Sequence, residues 1–247
     1  FIIMKKSIFS GIMMLAAACM ITSCGPKTPE PVKLGNSGLT AHATLQDKAK
    51  KTFVWGVKDA AGQQVLDNVF VAPPIAFEEF FLGEQTDKQT VFDDAGSTLI
   101  VGQNCVMKTI QTTRCISYSD DGNQLLYLID KGLVLPEKDK MLFKKDQIFY
   151  LSGETLGVLN YGGKDILPAP QKEIIYLTVN KKVKAKGKTE TQTSNYYAAK
   201  DDKGWNLYDV DGKLVRKLAK WQIKKYQKAA TKDTELDKLS YNTLTSL

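Results

Sequence analysis

From residue 34 onward the apolar residues fall in short runs or in alternation with polar ones, and Asp, Asn and Gly interrupt them. Segments 52–57, 64–71, 98–101, 125–129, 147–151 and 173–179 are rich in Val, Ile, Tyr and Phe. Short runs of this composition between turn formers read as β-strands. A helical period appears near the C-terminus, where Leu214, Leu218 and Trp221 share one face, so a short helix is expected from near Leu218. The pattern therefore predicts an all-β chain of antiparallel strands with one short C-terminal helix.

The breaks between strands resemble one another. Asp59-Ala60-Ala61-Gly62, Asp93-Asp94-Ala95-Gly96, Asn160-Tyr161-Gly162-Gly163 and Asp209-Val210-Asp211-Gly212 share Asp or Asn, two variable residues and Gly. Ser119-Asp120-Asp121-Gly122 is a near relative. An Asp or Asn side chain at the first position bonds the backbone beyond it, and Gly takes the left-handed conformation that enters the next strand. Each block is expected to connect a β-hairpin. Calcium binding would need several more oxygen ligands at fixed spacing, which none of the blocks supplies.

Three blocks extend upstream into a longer motif. Trp55-Gly56-Val57-Lys58 before Asp59, Leu156-Gly157-Val158-Leu159 before Asn160 and Trp205-Asn206-Leu207-Tyr208 before Asp209 occupy matching positions. The pattern resembles the WG repeat family of bacterial proteins, with Leu156 in place of the tryptophan and Asn206 in place of the glycine. The resemblance implies a β fold of repeated hairpin units and names no ligand. One hairpin cannot bury its own apolar face, so a propeller-like or spiral array of antiparallel β-hairpin repeats is the expected architecture. Trp55, Leu156 and Trp205 are then core residues, the alternative being an exposed sugar-binding platform.

The N-terminus has a different grammar. Lys5 and Lys6 follow Met4, and 7–23 is uncharged and apolar. Phe1-Ile2-Ile3, ahead of a plausible initiator, are given no structural weight. A basic start, an apolar middle and a small-residue end mark a secretory signal. Ile21-Thr22-Ser23-Cys24 resembles the lipobox of bacterial lipoproteins, with Cys24 matching the acylated, palmitate-bearing cysteine. By the same resemblance, Gly25 in place of an acid favours the outer membrane, facing periplasm or cell surface. The proline-rich stretch from Gly25 to Lys33 then reads as a semi-rigid spacer. The expected organisation is a signal peptide at 1–23, a lipid-anchored tether at 24–48, a repeat domain at 49–215 and a basic segment at 216–247.

Of four cysteines, Cys19 leaves with the signal and Cys24 is consumed by lipid. Cys105 and Cys115 remain in a compartment that permits a disulfide. They would sit opposite each other in a hairpin with its tip near Ile110, or else be two buried thiols on neighbouring strands.

The chain has a net charge of +7, and loss of Lys5 and Lys6 leaves it basic. Residues 216–232 concentrate that charge in Arg216, Lys217, Lys220, Lys224, Lys225, Lys228 and Lys232, with Leu218, Trp221 and Tyr226 interleaved and no acid. The segment reads as a polyanion contact or as a solvated lysine face. Residues 181–188 form a second basic run, expected as an exposed loop at a hairpin tip. Nucleic acid does not suit an exported, lipid-anchored protein.

No enzyme signature appears. His42 is the single histidine, and there is no nucleophile elbow or phosphate-binding loop. The expected function is a non-enzymatic envelope lipoprotein that acts as a binding or interaction module for a protein or glycan, without cofactor or metal. The alternative is a glycan-binding lipoprotein that uses exposed aromatics such as Tyr197, Trp205 and Trp221.

Overall fold

The computed structural model describes residues 26–144, 146–168, 170–185 and 188–247. The segment expected to be a signal peptide, Cys24 and Gly25 lie outside the described residues. The described chain is predominantly strand with one α-helix, as the alternation of apolar positions predicts.

Strands follow the chain in four successive sheets. The first runs β1 (Val32–Leu34), β2 (Leu39–Asp47), β3 (Thr52–Lys58) and β4 (Gln64–Phe70), each beside the next. The second continues in the same way through β5 (Ile75–Phe77), β6 (Phe80–Glu84), β7 (Gln89–Asp93), β8 (Thr98–Ile110), β9 (Thr113–Asp120), β10 (Asn123–Leu128) and β11 (Leu133–Pro136). The third holds β12 (Lys140–Phe143), β13 (Ile148–Ser152) and β14 (Thr155–Leu159). The fourth contains β15 (Glu173–Ala185), β16 (Lys188–Asp201), β17 (Gly204–Asp209) and β18 (Leu214–Lys217). It is joined after helix α1 (Lys220–Gln227) by β19 (Thr231–Lys232) and β20 (Leu239–Leu244).

Neighbouring strands are antiparallel, with one departure. β20 returns alongside β15 in parallel, from Ile174↔Leu239 to Val179↔Leu244. Parallel neighbours need a long connection, and the segment through α1 provides it.

The turn blocks behave as their sequence predicts. In four of them the first residue's N–H donates to the carbonyl four residues on, at 2.9–3.0 Å, for Asp59, Asp93, Asn160 and Asp209. Its own carbonyl accepts from the Gly N–H, and its side-chain Oδ1 accepts from the backbone N–H of the residue after the Gly. Gly62, Gly96, Gly163 and Gly212 have φ between 77° and 87°. The block at 119–122 differs. Asp121 and Gly122 alone form a tight two-residue turn, closed by the Asp120↔Asn123 pair.

The turn glycines also mark where consecutive units meet. A Cβ on Gly96 would meet Val65 of β4, and one on Gly163 would meet Pro136 and Leu135 of β11. A Cβ on Gly212 would strike the carbonyl of Ile166, in the segment that pairs with β14. Gly96 and Gly163 thus rest on the last strand of the unit before them, and Gly212 on the segment that follows β14. Gly157, the motif glycine, lies under the Tyr150 ring directly across the ladder, where any side chain would collide.

Cores form where sheets succeed one another. Leu34, Leu39, Ala41, Trp55, Val57 and Phe70 of the first sheet join Phe81 and Phe92 of the second. Leu126, Leu128 and Leu135 meet Met141 and Ile148 between the second and third. Phe149, Leu156 and Val158 meet Ile174, Tyr197 and Leu239 between the third and fourth. Arg114 binds the second sheet together at its surface, pairing with Glu78, Glu79 and Asp130. That guanidinium holds the Glu79 carboxyl below the usual carboxylate range.

Three boundaries are corrected. Residues 32–47, expected within the tether, form β1 and β2, because Leu34, Leu39 and Ala41 are needed to fill the first core. The C-terminal segment is not an appendage, since Leu236 and Leu239 enter the core and β20 completes the fourth sheet. Residues 181–185 of the second basic run, at the end of the β15–β16 hairpin, are strand rather than loop, paired up to Ala185↔Lys188.

Candidate functional site

The structure gathers the basic C-terminal residues onto an edge strand and the helix that follows it. All four residues of β18, including Arg216 and Lys217, are exposed at the rim of the fourth sheet. Charged side chains on such an edge discourage pairing with another sheet. The chain then turns into α1 two residues later than the expected start at Leu218. Ala219 provides no capping side chain; instead its N–H donates to Gln222 Oε1 at 3.0 Å.

One side of α1 is held firmly. Tyr226 is fully buried among Ile175, Leu177, Ala198 and Leu207. At the helix C-terminus, Asn242 of β20 donates from Nδ2 to the carbonyls of Tyr226 (2.6 Å) and Lys228 (2.9 Å). These bonds satisfy carbonyls that the helix itself leaves open. Lys225 Nζ reaches the Ser246 carbonyl at 3.0 Å, and Arg216 Nη2 donates to the Tyr226 hydroxyl at 3.4 Å.

Rotation of the helix is thereby set, and the opposite arc faces solvent. Successive residues advance by about 100°, so Lys220, Trp221, Lys224 and Lys228 fall on one side while Gln222, Ile223 and Tyr226 fall on the other. Trp221 is 65 % exposed, the most of any large apolar residue among those described. Lys220, Lys224 and Lys228 around it are exposed too. Among the described residues, the ion pairs involve other side chains, so this charge is not neutralised within the fold.

The aromatics considered for a platform separate clearly. Tyr197 is fully buried and Trp205 is half-buried against the core around Tyr226, so Trp221 alone of the three stands in solvent. Trp55 and Leu156, at the equivalent motif position, are core residues.

A second feature is a polar cleft of about 490 Å³ between the third and fourth sheets. Asp146, Asn160, Asp165, Tyr176, Asn195 and Asp211 line it. Tyr150 donates to Asp165 Oδ1 at 2.5 Å, and burial raises the Tyr176 hydroxyl pKa above its ordinary value. Among the described residues, no group of His, Cys, Asp and Glu is arranged to hold a metal ion. Asn160 and Asp211 belong to turn blocks visible in the sequence. Tyr176 and Asn195 come from distant strands that only folding brings beside them.

Cys105 and Cys115 lie on β8 and β9, but not face to face. The hairpin closes at Gln111 and Thr112, so Cys115 opposes Lys108, and a bulge between Gln103 and Val106 displaces Cys105. The two thiols are free and pack in different clusters. Of the two arrangements the sequence leaves open, the structure has the unbonded thiols on neighbouring strands, because the tip falls beyond Ile110 and the bulge changes the register. Burial pushes both thiols up to about 11, so they stay protonated at neutral pH. The folded protein should react slowly with a maleimide at both positions and rapidly once unfolded. Native mass spectrometry finding a bond between them would contradict this placement.

His42 is half-buried on β2 opposite Gly56, away from the cleft and the basic arc. Among the described residues, no helix is long and apolar enough to cross a membrane. No protein-family model matches the chain, and a search of curated proteins finds no match.

Proposed function

We propose that the chain is an outer-membrane lipoprotein, anchored by lipid on Cys24, whose β domain is a non-enzymatic binding module. In this reading, degenerate WG-type hairpin units stack into an open spiral array, and a partner is met through the basic face of α1. The recurring turn bonds and the seating of Gly96, Gly163 and Gly212 on the preceding unit support the array. The binding role rests on one observation: Trp221 stands exposed in an arc of lysines that have no acidic partner among the described residues.

Two measurements test the proposal. Cys24→Ala should abolish palmitate labelling and release the protein from the membrane fraction. The soluble form, residues 26–247, should be retained on immobilised heparin, a generic polyanion. Its triple variant Lys220→Gln, Lys224→Gln, Lys228→Gln should elute at clearly lower salt. Equal elution would remove the basic face from the function.

The polar cleft favours a second reading, glycan binding, because carboxylates, carboxamides and one tyrosine ring converge there. Binding to envelope glycans that survives the triple substitution but is lost in Asn195→Ala would place the function in the cleft instead.

A further inference from the structure

We infer that the outward arc of α1 rests on an anionic lipid bilayer, with the Trp221 indole at headgroup level and the lysines on the phosphates. The inference depends on α1 being the binding face and identifies what that face meets.

Charge sets the sign of the partner. From Lys213 to Lys232 there are eight basic residues and no acid. Arg216, Lys217, Lys220, Lys224 and Lys228 are all exposed. An anionic membrane surface attracts such a cluster, and the contributions of its members add.

Trp221 identifies the kind of surface. An indole has an apolar body and one polar N–H, and it is favoured where hydrocarbon meets water. Here it projects from a convex helix face rather than into a groove. Leu214 and Val215, 52 % and 46 % exposed, lie on the edge strand that leads into the helix. Single-stranded nucleic acid is held in basic grooves with several stacking rings in series. A sugar site adds fixed acceptors around its aromatic, whereas Trp221 is ringed by cationic donors. A soluble polyanion would engage the lysines and leave the indole in water. A bilayer accommodates both.

The face is also preorganised. Tyr226 in the core, Asn242 on the terminal carbonyls and Lys225 at Ser246 fix the helix rotation, so docking need not order the arc first. If Cys24 carries lipid as proposed, this contact would set how the module sits relative to its own membrane.

The test uses residues 26–247, which carry every described element, with vesicles of phosphatidylcholine alone or mixed with phosphatidylglycerol. The protein should sediment with the mixed vesicles at low salt and be released at high salt. Its tryptophan emission should shift to the blue and be quenched by brominated lipid. Trp221→Ala should remove the shift and weaken partitioning about tenfold. The triple lysine-to-glutamine variant should weaken it about a hundredfold, with circular dichroism unchanged in both. Heparin retention without vesicle binding, or vesicle binding indifferent to Trp221→Ala, would overturn the lipid assignment while leaving the binding face intact. Absence of both heparin and vesicle binding would sink the assignment and the binding-face reading together.

Discussion

Gly212→Ala should lower the urea midpoint of the protein steeply, and Gly62→Ala should lower it clearly less. The two glycines occupy the same place in the same turn, with φ of 79° and 81° and matching backbone bonds. Any L-residue there bears the left-handed penalty, about 1–2 kcal/mol. That penalty is common to both. Around Gly62 an added Cβ would meet nothing within 4 Å. At Gly212 it would run into the backbone carbonyl of Ile166, which is tied to β14 by the Ile166 N–H to Val158 carbonyl bond of 2.7 Å. A flexible side chain could move aside, but a paired backbone must take the sheet with it. Overpacking of this kind adds about 1–3 kcal/mol. The Asp209 turn should lift away from the third sheet, and limited proteolysis should then cut near 209–213. Equal midpoints for the two variants would mean that this turn does not bear on the preceding unit.

The second large effect is expected at the aromatic cluster between the third and fourth sheets. Phe149 is fully buried and meets Tyr176, Tyr197 and Tyr241 edge-to-face, with ring centroids 5.7, 6.2 and 6.4 Å away. Phe149→Ala should destabilise by about 3–5 kcal/mol, because three rings border the void and none can fill it alone. Tyr197→Phe should be neutral or stabilising by about 1 kcal/mol. Among the described residues its hydroxyl is buried without a hydrogen-bond partner, so removing it relieves a desolvated polar group.

A pH signature accompanies this second variant. Burial raises the Tyr197 pKa well above its ordinary value of 10.0, so folding favours the protonated form. That contribution is fully present below pH 10.0 and is lost as pH rises above it, because the unfolded chain then releases its proton more readily. Tyr197→Phe should flatten the alkaline fall in stability, read by denaturant titration at several pH values. A variant that is less stable at neutral pH would reveal a partner for the hydroxyl.

The predictions differ in how far their causes were visible beforehand. The Asp-x-x-Gly turns were legible because four adjacent residues close them, through one side-chain oxygen and one left-handed backbone. Their bonds recur at Asp59, Asp93, Asn160 and Asp209 regardless of which sheet each joins. Asp120-Asp121-Gly122 looked alike and folded differently, since two residues suffice to close it. The sequence leaves the arrangement of Cys105 and Cys115 open for a related reason. A bulge near Asn104, at φ 53°, shifts the ladder by an amount that spacing alone does not report. The early boundary at residue 49 missed β1 and β2, whose buried residues are scattered singly among polar ones.

The sequence by itself determined the strand-rich class, the hairpin turns, the short C-terminal helix and the concentration of lysines around Trp221. These follow from local periodicity, backbone geometry and charge. Only the tertiary structure decided which sheets adjoin, that β20 lies parallel to β15, and that Gly96, Gly163 and Gly212 rest on the unit before them while Gly62 does not. It also decided the outward aim of Trp221. Tyr226 and Trp221 are both aromatics on the same short helix. Which one is buried depends on the apolar face of the fourth sheet and on Asn242, sixteen residues beyond Tyr226, reaching back to the helix end. Such choices are made by packing between segments far apart in the chain, where local pattern carries no record of the partner.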